Sequence, residues 1–299
     1  MMEVLEGTLR SIKDLDISNS HSDYLISSLN EKAESEFLWG KLYLFLSQIS
    51  SKQRNIEQEH VLASNLELFM IASDIIDDLM DKDNFNFNRL NEPVHFGITM
   101  IFETLFTLTH EIKGENVKKT FLNNIKESLF YQYSDMSNTV CFGQNEEAYF
   151  SLSVKKSIYL VNAVEQLAFQ EEELSIKTFS KYFAIASQIS NDIKDVMKDD
   201  SYDLTNRKAT LPIIKGIEAY TKYNNKENNN KINAYFFEKN DNLYEEIRLL
   251  IIESGSLEYS NFLVSEYYQK AYDSLCNSFP NSHKEINALF QYLRLRRDI

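Results

Sequence analysis

Glycine and proline are scarce in this chain, with seven and three among 299 residues. Both interrupt helices, so their scarcity favours long, unbroken helices. Cysteine is almost missing. Cys141 and Cys276 stand far apart with no metal-ligand spacing, and the chain reads as reduced and cytoplasmic. Positive charge is also short: 31 Lys and Arg face 45 Asp and Glu, a net charge of −14. A nucleic-acid partner is not expected, because phosphate binding needs a basic face. No apolar run reaches the ~18 residues that a membrane span requires. The first residues, MMEVLEGTLRSIKDLD, show no basic segment followed by an apolar core, so no signal peptide is expected.

What the chain has is helical periodicity. Apolar residues recur at three-to-four spacing from Ile56 to Met80. Similar stretches run over about 22–50, 93–112, 116–140, 145–170, 174–198, 256–278 and 281–297. No alternating strand pattern and no fixed-period repeat is evident. The expectation is one all-α domain over 1–299, a helical bundle with loops at 81–93, 199–212 and 222–231.

Two acidic segments break the local rules. Residues 73–84 read SDIIDDLMDKDN. Asp74, Asp77, Asp78 and Asp81 fall at i, i+3, i+4 and i+7, one helix face. Each like-charge i,i+4 pair costs a few tenths of a kcal/mol, and anions near a helix C-terminus cost about 0.3–1 kcal/mol more. Only Lys82 could offset them locally. The second segment is QISNDIKDVMKDD, in which Asn191, Asp192, Asp195 and Asp199 again share a face near a helix end. A solvated acidic helix end would explain one such segment. Two, each followed by a polar loop, argue for function. All the donors are oxygens, which suits a hard cation. Mg²⁺ takes one or two carboxylates together with substrate phosphate oxygens and water.

These segments resemble the two aspartate-rich motifs of the trans-isoprenyl diphosphate synthases: DDLMD (77–81) the first, NDIKD (191–195) the second. WGK (39–41) stands where that family has Gly-Gly-Lys, and Glu67 precedes the first motif at the family's spacing. Gly143–Gln144, Lys156–Ser157, Gln188 and DLTNRKATLP (203–212) follow in the family's order. The resemblance implies an isoprenoid-synthase-type bundle around a central apolar cavity. It implies three Mg²⁺ ions that grip an allylic diphosphate. Asp77 and Asp81 would ligate metal and Asp78 would support them. Asn191, Asp192 and Asp195 would serve the second metal face beside Gln188. Lys156 and Lys208 would hold diphosphate oxygens, with Gln144 and Ser157 at the donor site. Ala72 and Ser73, small residues before the first motif, would leave room for a geranyl or farnesyl tail, although helix packing explains them equally well. Phe102 and Phe106 could line it, although core packing explains them at least as well. Relatives are often homodimers.

The chain departs from the family on the acceptor side. A chain-elongating synthase holds isopentenyl diphosphate with basic groups. Lys41 remains here, but Leu44 and Met70 stand where Arg and His or Gln are usual, and the Arg pair after the first motif is missing. An anion without partners is prohibitive to desolvate. The pattern resembles the pheromone-modifying isoprenyltransferases of the family, whose acceptor is a tryptophan in a quorum-sensing peptide precursor. Alternatives are a short-chain prenyl diphosphate synthase, a terpene cyclase using Asn191, Asp195 and Asp199, and a non-enzymatic helical scaffold. The five histidines lie away from the motifs and are given no role.

Overall fold

The computed structural model describes residues 2–35, 38–50, 55–81, 92–170, 177–222 and 226–297. Among them are fifteen α-helices: α1 (Met2–Asp14), α2 (Asn19–Ser35), α3 (Trp39–Ile49), α4 (Ile56–Asp81), α5 (Pro93–Glu111), α6 (Glu115–Met136), α7 (Glu146–Ser151), α8 (Lys155–Phe169), α9 (Lys177–Met197), α10 (Tyr202–Thr205), α11 (Leu211–Lys222), α12 (Lys226–Phe236), α13 (Tyr244–Glu253), α14 (Ser256–Ser278) and α15 (His283–Arg297). The only β feature among the described residues is an isolated antiparallel bridge, Thr139 with Lys208. The all-α expectation holds.

The chain divides into two compact units. One comprises 1–120, 164–174 and 279–299, and the other 121–163 and 175–278. In the first, α4 is the hub, packed by α1, α3 and α5, while α15 covers α3. α4 has no glycine or proline. Asn55 starts it by accepting from the Glu57 N–H at 3.0 Å, and Glu57 and Glu59 in the first turn suit the helix dipole. Its buried residues include Leu62, Leu66, Phe69, Ala72 and Ile75. In the second unit α9 lies along α14, and α11 packs on both. Ile185, Ile189, Leu211, Ile214 and Val264 form part of its core. A second cluster gathers Val196, Ile213, Tyr235, Ile247 and Ile251.

Two expected loops need correction. The polar run around 224–230 was expected to be a loop, but helix α12 begins at Lys226. Its buried face is only Ile232, Tyr235 and Phe236, too sparse to show periodicity. The 199–212 segment contains the one-turn α10, whose N-cap Ser201 accepts from the Leu204 N–H. Residues 82–91, most of the remaining expected loop and the position of Arg89, lie outside the described residues.

Candidate active site

In the first unit the acidic face ends α4. Asp77 and Asp78 are half-buried there, Asp81 is the last helical residue, and the Asp81 side chain lies outside the described residues. Asp74, one turn earlier, pairs with Lys32 of α2 at 2.5 Å. The sequence offered only Lys82 as a neutraliser, whereas the fold supplies Lys32 from a distant helix. Tyr24, also on α2, has its hydroxyl pKa raised, first by burial and then by Asp78 and Asp74. Residues 24, 28 and 32 thus form an i, i+4, i+8 stripe on α2, and Tyr24 and Lys32 act electrostatically with the acidic face.

Lys41 follows the start of α3, its ammonium 5.2 Å above the Phe45 ring. It makes no ion pair among the described residues. Leu44 and Met70 are buried, at 7 % and 6 % exposure, on the packed helices α3 and α4. Ala72 is fully buried, and the Ser73 hydroxyl donates to its own helix at Phe69 O, 2.8 Å. Phe102 and Phe106 are 69 % and 72 % exposed. Within this unit they line no apolar interior. α5 carries two apolar faces. Phe96, Met100 and Leu108 are buried, while Val94, Ile98, Phe102 and Phe106 face outward. Periodicity alone does not say which face turns inward.

In the second unit a polar chain surrounds Asp192, which is 3 % exposed. The Tyr149 hydroxyl donates to its Oδ2 at 2.7 Å and Gln188 Nε2 to its Oδ1 at 2.9 Å. Ser157 Oγ donates in turn to Gln188 Oε1 at 2.8 Å. Both Asp192 oxygens are therefore engaged by protein donors, while its neighbour Asn191 is exposed. Asp195 accepts from Ser201 Oγ at 2.6 Å and from the Asp203 N–H at 2.9 Å. Burial lifts the Asp192 and Asp203 carboxyls above the usual range, and the neighbouring carboxylates add to this. Asp199 lies beyond the end of α9 and is bound by the Arg248 guanidinium. The i, i+4, i+8 face that the cyclase alternative requires is therefore not one continuous helix face.

The two lysines differ. Lys156 donates to Asp135 Oδ2 at 2.7 Å. Lys208 is 8 % exposed, and its ammonium sits 5.4 Å from the Tyr202 ring centroid. Among the described residues it has no ion pair and no side-chain hydrogen bond. Its backbone is fixed by the bridge to Thr139 and by its N–H donating to Asp203 O at 2.7 Å. Gln144 is occupied by its own loop, accepting from the Cys141 N–H at 3.0 Å and donating to Asn138 Oδ1 at 3.1 Å. Sequence reasoning did not find Tyr149, Asp135 or Lys32. Asp203 was visible only as part of a motif.

Among the described residues no group of three or more His, Cys, Asp or Glu side chains is placed to hold a metal ion. One or two carboxylates at each acidic helix end fit Mg²⁺ that completes its shell with phosphate oxygens and water. They do not fit an all-protein cage.

An all-α fold with two acidic helix ends and a buried lysine that makes no ion pair among the described residues points to the class. Residues 38–249 match the polyprenyl synthetase family model, and the chain belongs to that family. It is a prenyltransferase enzyme. Its sequence is similar to the Tryptophan prenyltransferase ComQ of Bacillus subtilis subsp. natto, at 25 % identity over 97 % of this chain and 92 % of that one. The protein of the same name from Bacillus spizizenii is 24 % identical over 87 % of this chain and 92 % of its own length. The fold is similar to the polyprenyl synthase of Caulobacter crescentus, solved with calcium and isoprenyl diphosphate. That match has TM-score 0.81 and 15 % identity, over 100 % of this chain and 94 % of that one. Heptaprenyl diphosphate synthase from Staphylococcus aureus gives TM-score 0.81 at 19 % identity, over 100 % and 96 %. No described helix is long and apolar enough to cross a membrane.

Proposed function

We propose that the chain ionises an allylic diphosphate, geranyl or farnesyl, with Mg²⁺, and transfers the prenyl group to a tryptophan of a peptide pheromone precursor. The whole chain is read as one isoprenoid-synthase-type domain acting in the cytoplasm. Asp77, Asp78 and Asp81 at the end of α4 would supply oxygens to Mg²⁺, as would Asn191, Asp192 and Asp195 near the end of α9, and the family pattern implies three ions. Asp192 accepts one hydrogen bond on each oxygen, from Tyr149 and Gln188, which leaves a second lone pair on each for a metal ion. Mg²⁺ supplies positive charge to the leaving diphosphate. Lys208 and Lys156 hold diphosphate oxygens. Gln188 and Ser157 hold Asp192 in place, and Gln144 shapes its own loop through Cys141 and Asn138. The C1–O bond breaks with its electron pair leaving on the diphosphate. Indole C3 then attacks C1. The C3 adduct, already carrying the side chain, cannot rearomatise, so the tryptophan's own backbone nitrogen adds to C2 and its proton passes to the departed diphosphate.

The observation that carries the reading is that Leu44, on the helix that bears Lys41, and Met70, on the α4 helix packed against it, are buried apolar side chains. A diphosphate-bearing acceptor would meet apolar side chains there and lose its hydration without compensation. An indole has no such requirement. The similarity to proteins named for tryptophan prenylation supports the same acceptor. The outward row Val94, Ile98, Phe102 and Phe106 on α5 supports a second copy of the chain as partner, because one apolar stripe can be self-complementary across a two-fold axis.

The test is transfer of the labelled prenyl group from geranyl or farnesyl diphosphate to a tryptophan-bearing precursor peptide, to be sought as a short reading frame beside the gene. A Trp→Ala peptide should receive nothing, and isopentenyl diphosphate should be elongated poorly even at high concentration. Efficient elongation would reject the peptide acceptor and leave a short-chain prenyl diphosphate synthase.

A further inference from the structure

Helix α3 starts without a side-chain cap of its own. Its N-cap is Leu38, extended, whose carbonyl accepts from the Lys41 N–H at 3.0 Å and the Leu42 N–H at 3.1 Å but whose apolar side chain can accept nothing from Trp39 or Gly40. The Trp39 and Gly40 N–H groups are orphaned unless another element supplies an acceptor. Glu67 of α4 does so. Its Oε2 accepts from the Gly40 N–H at 2.9 Å, and the Trp39 N–H also faces it. Glu67 is fully buried. Its second oxygen, Oε1, is buried without a hydrogen-bond partner.

A buried carboxylate satisfied on one side is expensive, and a neutral helix interface would be cheaper. A second observation shows what this one achieves. A Cβ on Gly40 would lie 2.4 Å from the Ala63 carbonyl oxygen and 3.0 Å from its carbon. Ala63 and Glu67 are one turn apart on the same face of α4. The start of α3 is therefore pressed backbone to backbone on α4 and tied there by Glu67. The residue immediately after Gly40 is Lys41, whose ammonium has no ion pair among the described residues. Charged groups facing Glu67 are Lys32 from α2 and Asp74 from α4, and these two pair with each other.

We propose that Glu67 is a positioning residue for acceptor binding. By capping α3 against α4 it sets where Lys41 stands, and it acts on the reaction through Lys41. The inference rests on the reading of Lys41 as an acceptor-side group, whether the acceptor is a peptide or isopentenyl diphosphate.

The experiment compares Glu67→Ala, Glu67→Gln and Lys41→Ala in the full chain. Glu67→Gln keeps an oxygen for the Gly40 N–H, whereas Glu67→Ala removes it. Glu67→Ala should raise the acceptor KM roughly tenfold or more and change the donor KM less than about twofold. Glu67→Gln should recover most of the loss. In a Lys41→Ala background Glu67→Ala should add little, because both changes remove one interaction. Amide exchange at Gly40 reads the cap without any turnover. It should be slow in wild type and Glu67→Gln and fast in Glu67→Ala. Equal rises in both KM values, or an undiminished effect without Lys41, would overturn the proposal, as would unaltered exchange at Gly40. If wild type ignores the peptide but elongates isopentenyl diphosphate, the peptide reading fails. The same KM split is then expected with that acceptor, so the two failures are distinguishable.

Discussion

Lys156 Nζ lies 2.7 Å from Asp135 Oδ2, both side chains largely buried. A lysine read as a diphosphate ligand thus already holds a carboxylate. Lys156→Ala should act twice. It should raise the KM for the allylic diphosphate, and it should leave Asp135 buried and unpaired, at a cost of about 3–5 kcal/mol. Asp135→Asn should bind donor at least as tightly as wild type. Steady-state kinetics with urea unfolding checks both. A weaker donor KM in Asp135→Asn would show that the pair orients Lys156 rather than competing for it.

Lys208 offers the contrast. With no ion pair to break, Lys208→Met should leave stability within about 1 kcal/mol of wild type while kcat/KM for the donor falls roughly tenfold or more. The buried stem is preserved and only the ammonium is lost. Unchanged kinetics in this variant would remove Lys208 from the donor site.

At the end of α4, Asp77→Ala should abolish turnover without unfolding the protein. Lys32 already neutralises Asp74, so the like charges left to relieve are few. The gain in stability should be no more than a few tenths of a kcal/mol. A thermal melt without Mg²⁺, paired with an activity assay at saturating Mg²⁺, checks this. A large loss of stability with normal turnover would contradict the metal role.

Glu67 should leave a signature in the pH dependence of stability. Burial raises its pKa from 4.5 to about 7 in the folded chain, while the Gly40 N–H and Lys32 oppose the shift. Between these values the folded state binds more protons than the unfolded state, so stability falls as pH rises and levels off above pH 7. The difference across the window is on the order of 3 kcal/mol. Glu67→Gln cannot ionise. Its stability relative to wild type should therefore rise from pH 5 to pH 8. Parallel curves for the two proteins would show that the carboxyl titrates normally.

Much of the fold could be read from neighbours along the chain. The lack of glycine and proline and the three-to-four apolar spacing sufficed for an all-helical reading. The acidic helix ends were legible because i, i+3 and i+4 positions share a face whatever the tertiary structure. Contacts made by folding were not legible. Lys32 reaches Asp74, Asp135 reaches Lys156 and Tyr149 reaches Asp192 across intervals that no local window spans. Phe102 and Phe106 illustrate the same limit on α5, where the pattern held two apolar faces and only packing on α4 chose between them. The polar start of α12 was hidden because tertiary burial of three residues, rather than propensity, holds it helical.

The capped start of α3 has a practical consequence. Trp39 is the only tryptophan among 299 residues, and it is the first residue of that helix. The whole protein's indole emission therefore originates beside the Glu67 tie, with no second fluorophore of its kind to dilute it. Loosening of this one junction, by substitution, by donor with Mg²⁺ or by pH, should appear as a change in emission colour and quenching. Recorded before any tryptophan-bearing peptide is added, the signal reports on the enzyme alone.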